Sequence, residues 1–187
     1  NPKMYVVDST TGVDFIKAEA HHHEDTTEKE EHHDEEHGRD PHIWLSPRLM
    51  KIQAEKIYQG LITIDSDHKD TYTANKTVFL STLESLDAEI QAQLAKLKTR
   101  KFMIFHPAWS YFARDYDLEE IPIEIEGKEP SAREMAELMK IAKAEQINTI
   151  FIQPQTSRRS ADIIAQQIGA RVEILDPLAS NWLENMR

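Results

Sequence analysis

The chain has no cysteine and only five glycines among its 187 residues. The first absence removes disulfides, thiolate metal sites and thiol nucleophiles together. Any metal site must therefore draw on His, Asp, Glu and backbone oxygen. The shortage of glycine goes with the lack of a glycine-rich phosphate loop, and no HExxH or G-x-S-x-G pattern occurs either. No run approaches the roughly 20 apolar residues of a membrane-spanning helix. Basic residues are also scarce: 22 Lys and Arg stand against 33 Asp and Glu, a formal net charge of −11. That balance argues against nucleic acid, whose phosphates require clustered Lys and Arg. An acidic surface attracts cations instead.

What the chain does have is concentrated between His21 and Asp40, HHHEDTTEKEEHHDEEHGRD. These twenty residues hold six histidines and nine carboxylates, against Lys29 and Arg39, and no aliphatic side chain. Such a segment buries nothing that would offset the entropy of ordering it, so a mobile loop is expected. A solvated linker accounts for the acids but poorly for the histidines. Neutral imidazoles and carboxylates are zinc-type ligands, which makes His21, His22, His23, His32, His33 and His37 candidates for auxiliary metal capture.

Apolar patterning organises the rest of the chain. The chain opens on Asn1-Pro2-Lys3 and passes directly into a strand-like run, Met4–Val7, so it reads as the later part of a longer protein. Ser46-Pro47 is a helix start, with serine at the N-cap and proline at the first helical position. That helix should run to the Asp65-Ser66-Asp67 break. A second helix is expected over about Thr71–Lys98, where Tyr72, Phe79, Leu83, Leu86, Ile90, Leu94 and Leu97 mark one face. Beyond it, strands are predicted at Phe102–Phe105, Ile121–Ile125, Thr149–Ile152 and Val172–Leu175. Helices are predicted around Ala108–Asp115, Ser131–Glu145 and Ser157–Ile168. Ser131-Ala132-Arg133-Glu134 reads as a capping box and Gly169 as a C-cap. Apolar strands alternating with helices imply an α/β fold with a four-stranded parallel sheet covered on both faces.

Ligands of an open parallel sheet bind outside the carboxyl ends of its strands. The four predicted strands exit at His106-Pro107, Glu126-Gly127, Gln153-Pro154 and Asp176-Pro177, none with Lys or Arg. This places His106, Glu126, Gln153 and Asp176 around one cleft. A histidine at such a junction is often structural, but His42 leaves its own apolar boundary in the same way. Two imidazoles and a carboxylate form the usual three-ligand zinc set when cysteine is absent. His42, His106 and Asp176 are therefore the candidate metal ligands. Glu124 and Glu126, spaced by two, are a weaker candidate for an acid–base pair. Trp44, Trp109 and Trp182 read as hydrophobic anchors, and His68 as a surface residue.

Several stretches together carry a resemblance. They are Asp40-Pro41-His42-Ile43-Trp44-Leu45-Ser46-Pro47, Phe105-His106-Pro107-Ala108-Trp109-Ser110-Tyr111-Phe112, Glu126-Gly127-Lys128-Glu129-Pro130-Ser131, Ile152-Gln153-Pro154-Gln155 and Asp176-Pro177-Leu178-Ala179. In order and over essentially the whole chain, they resemble the zinc-binding solute-binding proteins of bacterial and archaeal ABC importers, the ZnuA-like group. The resemblance implies two α/β lobes joined by one long helix, with metal in the cleft between them. Residues 1–45 would then be the end of an N-terminal lobe, including the His-rich loop at 21–40. Residues 46–70 would be a helix of that lobe, 71–98 the linking helix and 99–187 the C-terminal lobe.

On the same footing, His42 matches the family's second metal histidine, His106 its third and Asp176 its carboxylate position. The first lies early in the N-terminal lobe, most of which is absent here, so the chain looks like a fragment whose exposed remnant could swap or dimerise. Manganese-type relatives commonly have glutamate where His106 stands, so nitrogen there favours Zn²⁺ over Mn²⁺, and the resemblance to zinc-binding members ranks Zn²⁺ above Ni²⁺ as well. The implied function is a non-enzymatic receptor at the periplasmic or extracellular face of the membrane, delivering zinc to an ABC permease. The rival expectations are a zinc hydrolase, with Glu126 as general base, and a metal-stabilised adhesin-like protein.

Overall fold

A serine and a proline start the first long helix. In the computed structural model, which describes residues 4–17, 38–125 and 127–187, Ser46 accepts the Leu49 N–H at 3.0 Å and Pro47 opens α1 (Pro47–Ile64). A short 3-10 turn at Ser66–His68 leads into α2 (Lys69–Leu94), whose 26 residues extend about 39 Å. The helix stops short of the expected Lys98. Lys96 and Leu97 donate to Gln93 and Leu94 in tight three-residue steps that end the α-helical ladder. Only the middle of the anticipated stripe is covered: Leu83, Leu86 and Ile90 are buried, whereas Phe79 and Leu97 are exposed.

The second half of the chain alternates as expected: β1 (Lys101–Ile104), α3 (Ser110–Asp115), β2 (Glu119–Pro122), α4 (Ala132–Ala144), β3 (Thr149–Ile152), α5 (Arg159–Ile168), β4 (Arg171–Ile174) and α6 (Trp182–Asn185). The four strands form one parallel sheet in the order β2-β1-β3-β4. Ser131 and Glu134 close the capping box of α4, and Gly169 ends α5 in the left-handed conformation, with φ of 73°. The short final helix α6 was not anticipated from the pattern.

Strand alternation sends neighbouring side chains to opposite faces. On one face Met103, Phe105, Ile121, Ile123, Ile150 and Ile152 pack with Leu138 and Ala142 of α4 and Ala161, Ile164 and Ala165 of α5. On the other, Phe102, Ile104 and Phe151 pack with Leu86 and Ile90 of α2, together with Leu45, Trp109, Tyr116 and Met186. Trp44 and Trp182 join this second cluster, so all three tryptophans serve as anchors. His68 is at the surface, 2.8 Å from Asp65.

Met4–Val7 is a correction: it forms no strand. Among the described residues no strand pairs with it, and a strand without a partner leaves its backbone groups unsatisfied. The segment passes α1 where Gly60 leaves room for the Val7 side chain. Among the described residues no helix is long and apolar enough to cross a membrane.

Candidate metal site

The site starts at Asp40-Pro41-His42. One carboxylate oxygen of Asp40 accepts the His42 backbone N–H at 2.9 Å, closing an Asx turn around the proline. The same oxygen lies 2.7 Å from His42 Nδ1. The fully buried Tyr111 fixes this turn from below, donating its hydroxyl to the Asp40 carbonyl at 2.7 Å and accepting the Ile16 N–H at 3.2 Å. The Asp40 N–H donates to the Ile16 carbonyl at 2.9 Å, and Lys17 pairs with Arg39 in an antiparallel bridge. Residues on both sides of the His-rich tract are therefore tied together beside His42.

His106 follows β1. The Gln153 amide, buried at the end of β3, donates to the His106 carbonyl at 2.8 Å and accepts its N–H at 3.3 Å. Past the end of β2, parallel pairing continues for two residues: Ile123 donates to Ile104 at 2.8 Å and Glu124 to Phe105 at 3.0 Å. That register carries the Glu124 carboxylate to 2.5 Å from His106 Nδ1. Glu124, expected only as half of a weak acid–base pair with Glu126, is thus a partner of His106.

The two imidazoles meet. Their ring centroids are 5.5 Å apart and their planes nearly perpendicular, at 76°. Both line a cavity of about 560 Å³ shared with Asp40, Ser110, Glu120 and Glu124. Two imidazoles lining one cavity with several carboxylates are the ligand types that suit zinc, and they could supply part of a four-ligand shell. Among the described residues no group of three or more His, Asp or Glu is arranged to hold a metal ion. A second cavity, about 350 Å³ and lined by Leu94, Phe102, Phe112 and Phe151 among others, is apolar and contains no histidine or carboxylate.

Asp176 does not line the imidazole cavity. Its carboxylate accepts the Leu178 N–H at 2.9 Å, and its carbonyl accepts the Asn185 amide at 2.8 Å. It is linked to His42 only indirectly: Trp44, whose ring centroid is 5.3 Å from that of His42, donates its indole N–H to the Pro177 carbonyl. The Gln153 side-chain amide clamps the His106 backbone, with both its polar atoms engaged there, and Gln153 does not line the imidazole cavity. Glu126 and the six tract histidines, His21, His22, His23, His32, His33 and His37, lie outside the described residues.

Charge is tuned in opposite directions within the cavity. Burial pushes the Asp40 carboxyl up, but hydrogen bonds from the His42 ring and backbone outweigh it and leave the group below its ordinary value. Burial pushes Glu120 up, against hydrogen bonds from the Trp109 N–H at 3.0 Å and the Ser110 hydroxyl at 2.8 Å. Sequence reasoning did not single out Asp40 or Glu120 as part of the site. The D-P-H spacing was the available signal for Asp40; no sequence signal marks Glu120.

The family profile described as "ZnuA: Zinc-uptake complex component A periplasmic" matches residues 1–187. The high-affinity zinc uptake system protein ZnuA of Bacillus subtilis (strain 168) is 33% identical over 144 residues, covering 76% of this chain and 45% of that protein. A crystal structure of ZnuA superposes with a TM-score of 0.87 at 43% identity, covering 100% of this chain and 67% of the other. A ZnuA deletion mutant with zinc bound gives 0.85 at 42% identity, covering 100% and 66%. The chain spans less than half the length of that curated relative. This chain belongs to the ZnuA family, the periplasmic component A of zinc-uptake complexes.

Proposed function

We propose that the chain is the zinc-holding part of an extracytoplasmic receptor that captures Zn²⁺ and passes it to a membrane ABC permease. The observation that carries this reading is the meeting of His42 and His106 in one polar cavity. It is supported by the zinc named for the relatives. Residues 99–187 serve as one lobe of the receptor and the long α2 as the link to the other. The exposed first half of α2, with Val78 and Phe79 open to solvent, agrees with that arrangement.

The tract at 21–40 acts as a collector that raises the local metal concentration. Its flanks are pinned at the cavity, where Ile16, Lys17, Asp40 and Pro41 form part of the lining. The cation itself is the cargo, and no bond of a substrate is made or broken. By the same resemblance Asp176 holds the family's carboxylate position beside the histidine ligands.

Zinc titration against a competing chelator tests the reading. His42→Ala and His106→Ala each weaken the tight site by at least tenfold, and unchanged affinity in both would remove the cleft site. Asp176→Asn reports separately on the carboxylate: a comparable loss makes it a ligand, and no change leaves it a turn residue. Because imidazole must be neutral to ligate, affinity falls between pH 7.5 and pH 5.5.

A further inference from the structure

We propose that Glu124 and Asp40 are positioning residues for zinc, acting as a matched pair of largely buried carboxylates that hold His106 and His42 in the tautomer that binds metal. The proposal rests on the zinc-site reading above and assigns roles to two residues outside the ligand set.

The geometry repeats itself at two unrelated places in the chain. His106 Nδ1 lies 2.5 Å from Glu124 Oε1, and His42 Nδ1 lies 2.7 Å from Asp40 Oδ1. One contact is made across two parallel strands and the other within a three-residue turn, so local chain geometry does not impose the likeness. An ionised carboxylate can only accept, so each Nδ1 carries the proton. A neutral imidazole protonated at Nδ1 has its lone pair at Nε2. Both rings therefore offer the same nitrogen to an incoming cation.

Burial orders the four groups. The side chains of Asp40 and Glu124 are 9% and 11% exposed, against 17% and 40% for His42 and His106. The carboxylates are the more buried groups and the rings the more open ones, and all four line the same cavity. Each carboxylate is already committed to a ring proton, which leaves it in the second layer around the cation. From there it raises the basicity of the ligating nitrogen and partly offsets the charge of the ion. Removing such a partner costs a metal site about 10–100-fold in affinity.

The test uses the full chain, histidine-labelled with ¹⁵N and freed of metal by chelator. Long-range ¹H–¹⁵N spectra of the parent should show both rings protonated at Nδ1. In Glu124→Ala the His106 ring should lose that preference while His42 keeps it, and zinc affinity should fall 10–100-fold. Glu124→Gln keeps the size and one acceptor oxygen, so it should fall between parent and Glu124→Ala; it also serves if the alanine variant does not fold. Asp40→Asn should show the same pattern at His42. If Glu124→Ala and Glu124→Gln weaken zinc binding without changing the tautomer, or change neither, the positioning role is overturned. If His42→Ala and His106→Ala bind zinc as tightly as the parent, the underlying site fails instead, whatever the tautomers show.

Discussion

Glu120 and Asp40 share one cavity but respond to it in opposite ways. Asp40 gains enough from the His42 ring and backbone to overcome burial; Glu120, receiving the Trp109 N–H and the Ser110 hydroxyl, does not, and the Asp40 charge adds to its cost. The signs follow from linkage. Asp40, with its folded value depressed, contributes stability above its unfolded value and loses it as pH falls through the folded one. Glu120, with its folded value raised, contributes stability below its unfolded value and loses it as pH rises through the folded one. Glu120→Gln removes that charge and keeps an acceptor for Trp109. Thermal melts in chelator should show the variant gaining on the parent between pH 4 and pH 7; parallel curves would contradict the burial cost. Polar contacts of this kind were only half legible in the sequence. The D-P-H spacing signals the Asp40 turn, but the Glu124–His106 contact depends on the register of β1 against β2.

At the scale of elements, the ends of the helices were the most legible features because caps are local chemistry. Ser46 and Ser131 were both recognisable, yet their surroundings differ. Ser131 is exposed and shares its box only with Glu134. Ser46 is fully buried and, besides capping α1, donates to the carboxylate of Asp115, the last residue of α3. Ser131→Ala should cost about 1 kcal/mol, the usual loss of a cap. Ser46→Ala should cost about 2 kcal/mol, because Asp115 also loses that donor and keeps only Arg114 beside it. Urea titrations of the two variants check the ordering, and equal losses would mean that the Asp115 contact adds nothing. The strand expected at Met4–Val7 shows the limit of local signals. A strand exists only when a neighbour completes its hydrogen bonds, and the four residues themselves do not specify one.

For the whole molecule, two clusters on opposite faces of a four-stranded sheet hold the site in place. Leu86 of α2 packs with Leu45, just beyond His42, and with Ile104, just before His106. The same cluster therefore braces both imidazole-bearing segments against one helix. Leu86→Ala should destabilise the fold by about 2–5 kcal/mol, as large-to-small changes in packed cores do. Val78→Ala, on the exposed part of the same helix, should stay within about 0.5 kcal/mol. Chemical denaturation of both variants distinguishes a helix anchored along part of its length from one packed uniformly.

Sequence alone was enough for the α/β class, the four parallel strands, the helix caps and the exclusion of thiolate ligands in a cysteine-free chain. Each of these depends on local propensity, side-chain periodicity or the chemistry of one residue type. Tertiary structure decided which polar groups meet. His42 and His106, 64 positions apart in the numbering, were suggested by their place at strand and loop exits. Their 5.5 Å approach, their separate carboxylate partners and the placement of Asp176 outside their cavity depend on how strands, turns and helices pack. A hydrogen bond is sensitive to displacements of a few tenths of an ångström, and no pattern of spacing along the chain carries that precision.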